Sequence, residues 1–224
     1  MDTTSQGNNI DRLVQVAAGA LFLDGHLTIP ENARGIVLFP YAIENEQRVS
    51  YTAGLAWLLN EQGIATLLVD LLTPEEKALD KETGFFRENV NVLHQRIIGI
   101  ANWLIETPET QNLRICYFGV GVTGAAVLIA AAERPDAVVT VIATAQRLDL
   151  ARDYLPRVEA PVLLLGGEND SQANESSRLA LEQLRAEKKL ETIAGAGHLF
   201  EDTSTLEEVA RLAIQWFEQH LRLG

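Results

Sequence analysis

The sequence has few of the residues that build covalent cross-links or metal centres. Its 224 residues contain one cysteine, Cys116, which excludes an intramolecular disulfide and a cysteine-based zinc cluster. The four histidines, at positions 26, 94, 198 and 220, are scattered and lack the spacing of metal ligands. A chain of this length buries roughly 70% of its unfolded surface in one domain, so it needs no such support. We predict a single domain over residues 1–224 that holds no metal. The sequence contains no P-loop either, so we also predict no cofactor.

Basic residues and long apolar runs are scarce as well. Lys and Arg number 18 against 31 Asp and Glu, which gives a formal net charge of −13. A field of that sign repels nucleic-acid phosphates and anionic lipid, so we predict no nucleic-acid or membrane partner. The longest apolar stretch, about residues 120–132, is too short to span a bilayer. The polar start of the chain lacks the apolar core of a signal peptide, and we expect a cytoplasmic location.

Strand-like and helix-like segments alternate from about residue 36 onward. Six runs have the pattern of strands, at 36–39, 64–70, 113–119, 137–143, 161–167 and 190–195. Helical patterns lie between and after them, up to Gln62 and at 90–104, 122–134 and 174–187, with a last helix that opens on the capping pattern Ser204 to Glu207. Continuous apolar strands alternating with helices predict a parallel sheet that is covered on both faces.

Two segments depart from this alternation. Val14–Ala18 and Ala20–Ile29 predict a hairpin with its turn at Gly19, antiparallel at the edge of the sheet. Residues 71–88 are charged and form the longest connection, which predicts a loop or lid over one end of the sheet.

The candidate site lies at the carboxyl ends of the strands, where open parallel sheets bind their ligands. A glycine-rich turn at 119–124 is followed by Asp170 after one strand and by His198 after the last. This is the chain order of nucleophile, acid and base in the α/β-hydrolases. In that arrangement Asp170 accepts the Nδ1–H of His198, fixes its tautomer and raises its basicity.

Four stretches carry a closer resemblance: YFGVGVTGAA (117–126), AERPD (132–136), LPRVEAPVLLLGGEND (155–170) and GAGHLFED (195–202). Through them the sequence resembles the α/β-hydrolase superfamily, and most closely its dienelactone-hydrolase-like branch, from about residue 14 to 221. The resemblance implies an α/β-hydrolase fold, with a mainly parallel central sheet, helices on both faces and an N-terminal antiparallel hairpin.

The elbow of the turn departs from the family's pattern. That pattern is G-x-nucleophile-x-G with Ser or Cys in the centre, and here Gly119-Val120-Gly121-Val122-Thr123 fills the frame. The nucleophile position is therefore Gly121, which has no side chain to attack a carbonyl but tolerates the strained turn. Thr123 replaces the last glycine, so we expect it to crowd the helix against the strand. We expect its hydroxyl to cap the helix and not to attack a substrate.

The loop that would supply the oxyanion hole differs as well. Hydrolases of this type usually carry His-Gly-x-Gly after the strand at 36–39, and the matching stretch here is Tyr41-Ala42-Ile43-Glu44. Neither glycine is present, and the carboxylate of Glu44 opposes the stabilisation of a developing oxyanion. We predict that Tyr41, Ala42, Glu44 and Val122 line the pocket, with the Val122 N–H as the remaining donor.

These departures decide the functional prediction. Loss of the nucleophile of a serine hydrolase costs about 10⁶ in turnover, and loss of one oxyanion donor roughly 10²–10³ more. We therefore predict a non-hydrolytic pseudo-hydrolase that binds a small molecule. The alternative is an enzyme in which His198, oriented by Asp170, is a general base without a covalent intermediate. Elimination, isomerisation, cyclisation or weak ester or lactone hydrolysis would fit, with Glu44 or Tyr41 as the acid.

Overall fold

The protein is described by a computed structural model over residues 9–42, 46–144, 147–196 and 203–222. Its strands are β1 (Ile10–Ala18), β2 (Leu21–Ile29), β3 (Gly35–Tyr41), β4 (Ala65–Asp70), β5 (Arg114–Gly119), β6 (Thr140–Thr144), β7 (Val162–Gly167) and β8 (Lys188–Ile193). They form one sheet in the order β1-β2-β4-β3-β5-β6-β7-β8. Pairing is parallel from β4 across to β8, and β2 is antiparallel to both β1 and β4. The predicted mainly parallel sheet with a hairpin at one edge is confirmed.

Helices cover both faces of this sheet. They are α1 (Glu46–Glu61), α2 (Pro74–Thr83), α3 (Phe85–Glu88), α4 (Val90–Glu106), α5 (Val122–Glu133), α6 (Ser171–Gln183) and α7 (Thr203–Leu221). Two short 3-10 helices, Leu148–Ala151 and Leu155–Arg157, follow β6. None of the helices in the described ranges is long and apolar enough to cross a membrane.

Strand β3 illustrates why there is a core on each face of the sheet. Successive side chains of a strand point to opposite faces. Ile36 and Leu38 belong to the cluster formed with α4 and α5, whereas Val37 and Phe39 belong to the cluster formed with α1 and α7. All four side chains are buried. A strand buried on both faces has a continuous apolar sequence, which is why these residues read as a parallel strand.

The hairpin is longer than predicted. β1 begins at Ile10, four residues before the predicted start at Val14, and the turn lies at Gly19 with a φ of 69°. The charged residues that follow Ile10 hide the apolar pattern of the first part of the strand. One face of the hairpin carries Val16 and Leu23 into the core beneath α4. The opposite face is more exposed to solvent.

The segment 71–88 is helical, so the prediction of a loop there was wrong. It contains α2 and α3. The missed signal is a capping box, in which Thr73 Oγ1 accepts from the Glu76 N–H at 3.3 Å and the Glu76 carboxylate accepts from the Thr73 N–H at 3.0 Å. Pro74 occupies the first turn, and Gly84 ends α2 in the left-handed conformation at a φ of 66°.

Buried charges anchor α2 to the rest of the domain. The Arg96 guanidinium donates to the Glu76 carboxylate at 2.7 and 2.5 Å and to the Leu71 carbonyl. Burial alone would raise the pKa of Glu76, but the hydrogen bonds from Arg96 and from the Thr73 N–H lower it below its usual value. Lys77 pairs with Asp70 at 2.5 Å. These contacts join the first turn of α2 to α4 and to the end of β4.

Some predicted boundaries are shifted along the chain. The strand predicted at 137–143 begins at Thr140, because the Ala137 N–H donates to the Arg134 carbonyl at 3.1 Å in a turn. The helix predicted at 174–187 is α6, and the strand predicted at 190–195 is β8. The capping side chain predicted at Ser204 lies outside the described side chains. That residues 1–224 form one domain stays a prediction.

Candidate functional site

The carboxyl ends of β3, β5 and β7 bring several of the predicted site residues to one edge of the sheet. Tyr41 and Ala42 lie at the end of β3, Gly121 and Val122 follow β5, and Asp170 follows β7. The predicted residues Glu44 and His198 lie outside the described residues. The geometry of the site is therefore built from the elbow, the acid loop and the end of β3.

Gly121 is the apex of the turn between β5 and α5. Its φ of 64° and ψ of −126° lie in a region that side chains rarely adopt, and it directly precedes the first residue of α5. Its N–H donates to Thr144 Oγ1 at 3.0 Å, so the end of β6 holds the apex in place. A strained strand-to-helix turn of this kind is the backbone of a nucleophile elbow.

Thr123 does not crowd the helix against the strand, and that expectation was wrong. A Cβ on Gly119 would lie 2.5 Å from the Thr123 carbonyl oxygen and 2.7 Å from Gly124 Cα. The close approach of α5 to β5 is therefore made by Gly119 and Gly124, one residue beyond Thr123. The Thr123 hydroxyl accepts from the Val120 N–H at 3.0 Å and donates to the Val120 carbonyl at 2.9 Å. It joins the first helical turn to the strand end, as a structural residue would.

Val122 places the first N–H of α5 at the elbow. The N–H groups of a helix's first turn have no acceptor within the helix, and the helix dipole adds a partial positive charge there. The Val122 side chain is buried, as is every other side chain from Val122 to Ala132. What Val122 could offer to a ligand is thus its backbone donor, and that it does so stays a prediction.

Asp170 is the buried member of three adjacent polar residues. It is 8% exposed, whereas Glu168 and Asn169 are exposed. Glu168 accepts the Gly195 N–H at 2.9 Å, and Asn169 donates to the Gly195 carbonyl at 3.4 Å. The side chains of Glu168 and Asn169 are thus engaged by the neighbouring loop, and the role of Asp170 as the acid stays a prediction.

The acid loop is bound to the segment that leads to His198. The Glu168 N–H donates to the Ile193 carbonyl at 3.0 Å, and the Asn169 N–H donates to the Ala196 carbonyl at 3.1 Å. The two loops therefore run side by side up to two residues before His198. Asn174 fixes the other end of the acid loop, because its side-chain amide donates to the Gly167 carbonyl at 2.9 Å.

Tyr41 lies in an acidic environment at the end of β3. Burial, followed by the negative charges of Asp70 and Asp24, raises the pKa of the Tyr41 phenol to about 12. The phenol is therefore protonated at neutral pH and is available as a hydrogen-bond donor. Ala42 is buried, and its methyl group contributes to the apolar core.

Sequence reasoning missed Asp70, Lys77 and Thr144 near the site. Asp70 pairs in register with Tyr41 across the parallel strands and binds Lys77 of α2. A sequence signal existed for Asp70, which ends an apolar strand at the edge where ligands bind. The hydroxyl of Thr144 gave no such signal, because only the fold shows that it faces the Gly121 N–H.

Cys116 is buried in β5, and burial raises the pKa of its thiol well above the usual range. A thiol without access to solvent and with a raised pKa is neither nucleophilic nor a metal ligand.

The elbow also has the spacing G-x-G-x-x-G, at Gly119, Gly121 and Gly124 after β5, so an expectation that no such motif follows a strand is wrong. Dinucleotide-binding turns use this spacing between a strand and a helix, with an acid about 20 residues further on for the ribose. Here the sequence has no carboxylate between Asp136 and Asp149, so that partner is lacking. The absence of a cofactor stays a prediction.

An eight-stranded, mainly parallel sheet with helices on both faces and a strained elbow after β5 defines the α/β-hydrolase class. The family model of the dienelactone hydrolase family matches residues 23–221. The chain therefore belongs to the dienelactone hydrolase family.

Solved structures agree with this membership. A dienelactone hydrolase from Anabaena variabilis is 40% identical, covers 95% of this chain and 98% of its own, and superposes with a TM-score of 0.90. Est1E from Butyrivibrio proteoclasticus is 16% identical, covers 94% of this chain and 99% of its own, and has a TM-score of 0.75. The second likeness concerns the fold alone.

Curated relatives carry a different name. Two proteins from strains of Mycobacterium tuberculosis named "Putative phosphoribosyl transferase" are 39% identical over 211 residues, which is 94% of this chain and 47% of theirs. The chain thus spans about half the length of the curated relatives it matches.

Proposed function

We propose that this protein is a dienelactone-hydrolase homologue without a side-chain nucleophile, which binds a small molecule at the elbow and forms no acyl-enzyme. One observation carries the proposal. The residue with the strained conformation at the head of α5 is Gly121, with a φ of 64° and a ψ of −126°. In a hydrolase, a serine or cysteine at this point projects its nucleophile above the sheet. Here the turn is kept and nothing projects from it.

The surroundings of the elbow support binding more than acyl transfer. An oxyanion hole needs two preorganised donors, and the Val122 N–H supplies one. The chain offers Tyr41-Ala42 where the family has the first residues of its glycine-containing loop. Tyr41 is a protonated phenol in this proposal, beside Asp70 and Asp24, whose negative charges oppose any developing oxyanion. A neutral ligand with a hydrogen-bond acceptor fits this environment better than an anion.

A second candidate function has an observation of its own. Asp170 is buried, and its loop is hydrogen-bonded to the segment that leads to His198. In this alternative, Asp170 orients His198 as a general base that removes a proton from a substrate or a water. The absence of a side chain at Gly121 leaves room for the substrate atoms. Proton abstraction without a covalent intermediate would then be the chemistry of the site.

The transferase activity in the name of the M. tuberculosis relatives belongs, in our proposal, to the half that this chain does not match. Phosphoribosyl donors carry several negative charges, and a chain with a net charge of −13 repels them. Stabilisation of this chain by ribose phosphate, absent with ribose, would contradict that assignment.

The test compares wild type with His198→Ala. Both proteins are given activated esters, lactones and enolisable carbonyl compounds, and turnover and thermal stability are recorded with each compound. The proposal expects no turnover and a rise in melting temperature with particular neutral compounds in both proteins. Turnover in wild type that disappears in His198→Ala would contradict the binding function and support the general base. Asp170→Asn is the matched second variant, because it keeps the shape of the side chain and removes the charge.

A further inference from the structure

A cavity of about 360 Å³ lies away from the elbow, between α1 and the exposed face of the hairpin. Its described lining residues come from α1, from β1 and β2 with their flanking residues, and from the first part of β4. The elbow, by contrast, stands at the carboxyl end of β5. A volume in this range is that of a small-molecule site.

The groove contains two carboxylates and one large aromatic ring, together with five other polar residues, Asn9, His26, Thr28, Asn60 and Thr66. Asp11 and Glu61 contribute the charges, and Trp57 is 60% exposed although it is a large apolar residue. Trp57 and Glu61 are four residues apart on α1, so both side chains lie on the same face of the helix. Glu61 and the indole of Trp57 thus lie next to each other along one wall of the groove.

The opposite wall holds Asp11 in a fixed orientation. His26 Nε2 lies 2.6 Å from Asp11 Oδ1, and the Thr28 hydroxyl donates to the same oxygen at 3.2 Å. The strand pairing places Asp11 directly opposite Thr28 on the hairpin. A carboxylate held by two neighbours is preorganised for a ligand, so less side-chain entropy is lost on binding.

The charges of the lining residues determine whether the groove attracts a cation or an anion. Among its described lining residues there is no lysine or arginine, and His26 is the one basic side chain. The whole chain adds a net charge of −13. An anion is repelled here, whereas a cation is attracted by the carboxylates and by the face of an aromatic ring.

We propose that this groove binds a small organic cation, an amine or quaternary ammonium compound, with its charged group between Asp11 and Glu61 and against the indole of Trp57, and with its apolar part along α1. Ala53 and Ala56 of α1 also line the groove, and their small side chains leave room for the apolar part. The site is separate from the elbow, so it does not depend on whether the elbow binds or catalyses.

Choline and its uncharged tert-butyl isostere, neohexyl alcohol, are suitable probes, because they share a shape and differ in charge. Isothermal titration of the wild-type protein should give saturable choline binding at least about tenfold tighter than that of neohexyl alcohol. Trp57→Ala should weaken choline binding by about fivefold, as expected for loss of a cation–π contact. Glu61→Gln should weaken it to a similar extent. Phe85→Ala, at an equally exposed aromatic residue on α3, is the matched control and should leave the affinity unchanged.

Several results would overturn the proposal. Equal affinity for choline and neohexyl alcohol would make the groove a merely apolar surface. Choline binding that Trp57→Ala and Glu61→Gln leave unchanged would place the cation elsewhere. Tighter binding of glucose than of choline would make the groove a sugar site, and absence of saturable binding at millimolar choline would remove it as a cation site. Circular dichroism of each variant checks that it is folded.

Discussion

The hydroxyl of Thr144 accepts a hydrogen bond from the backbone N–H of Gly121 at 3.0 Å, and both residues are buried. The last residue of β6 thereby fixes the apex that precedes α5. Glycine adopts this conformation without the steric cost that a side chain would add, and the buried hydrogen bond holds it in place. The hydrogen bond thus preserves the backbone geometry of the turn.

Thr144→Val should therefore destabilise the protein. The substitution keeps the shape of the side chain and leaves the buried Gly121 N–H without an acceptor, which costs about 1–3 kcal/mol. Urea unfolding followed by circular dichroism measures this loss. Thr192→Val, at an exposed threonine of the edge strand β8, should change the free energy of unfolding by less than about 0.5 kcal/mol. Equal effects of the two variants would mean that the hydrogen bond contributes nothing.

Substitution of three glycines by alanine, one at a time, should separate the destabilising effect of backbone strain from that of steric crowding. Gly63 has a φ of 74° with no atom within 4 Å of an added Cβ, so Gly63→Ala reports strain alone, at about 1 kcal/mol. Gly121→Ala should cost somewhat more than Gly63→Ala, because its ψ of −126° lies outside the left-handed helical region. It should add no crowding, because at an elbow the Cβ points towards the site. Gly119→Ala should cost several times more, since its Cβ would lie 2.5 Å from the Thr123 carbonyl oxygen. Thermal or urea unfolding ranks the stabilities of the three variants. A loss of stability in Gly121→Ala as large as that in Gly119→Ala would contradict an elbow with open space above it.

The phenol of Tyr41 should lose its proton at a higher pH than an ordinary tyrosine does. Burial and the negative charges of Asp70 and Asp24 raise its pKa to about 12, above the ordinary value of 10. A folded-state pKa above the unfolded one makes stability fall with rising pH between those two values. Urea unfolding of wild type should show this loss above pH 10, and Tyr41→Phe should show less of it. The phenolate absorbance of wild type should also exceed that of Tyr41→Phe only near pH 12. A difference that develops near pH 10 would show that Tyr41 is not in this environment.

The ion pair between Arg96 and Glu76 should be the main anchor of α2. Arg96→Met removes the partner of a half-buried carboxylate and the donor to the Leu71 carbonyl, so we expect a loss of about 2 kcal/mol in the free energy of unfolding. Limited proteolysis should then cut within 74–88 before the rest of the domain. Arg211→Met is the control, because Arg211 pairs with Glu208 on an exposed helix face, where such pairs contribute little. Unchanged stability and protease resistance in Arg96→Met would mean that packing alone holds α2.

The sequence pattern predicted the layers of this fold well because the parallel strands are buried on both faces. IVLF at 36–39 can be read directly as a strand, since both of its faces are apolar. β1 could not be read in full, because Asp11 and Arg12 lie on its exposed part and interrupt the pattern. The helix α2 was missed because its charge dominated the interpretation, although Thr73 and Glu76 formed a capping box.

The sequence could predict those site residues whose position follows from the end of a single strand. It could not predict the contacts that form where separate elements meet. Gly121 follows from its place after β5. The close approach at Gly124 could not be foreseen, because it depends on how α5 leans on β5. Asp170 was predicted as the acid from its place after β7, and the contact between Glu168 and the Gly195 N–H could not be foreseen because it joins two separate loops.

The central claim is that Gly121 stands where the family's nucleophile stands. Intact-protein mass spectrometry after treatment with a serine-directed fluorophosphonate tests it most directly, with wild type, Gly121→Ser and Gly121→Ser/His198→Ala side by side. We predict no adduct on wild type, one adduct on Gly121→Ser, and labelling at least about 10² slower when the base is also removed. An adduct on a pocket residue of wild type, or a Gly121→Ser protein that is folded and stays unlabelled, would contradict the account.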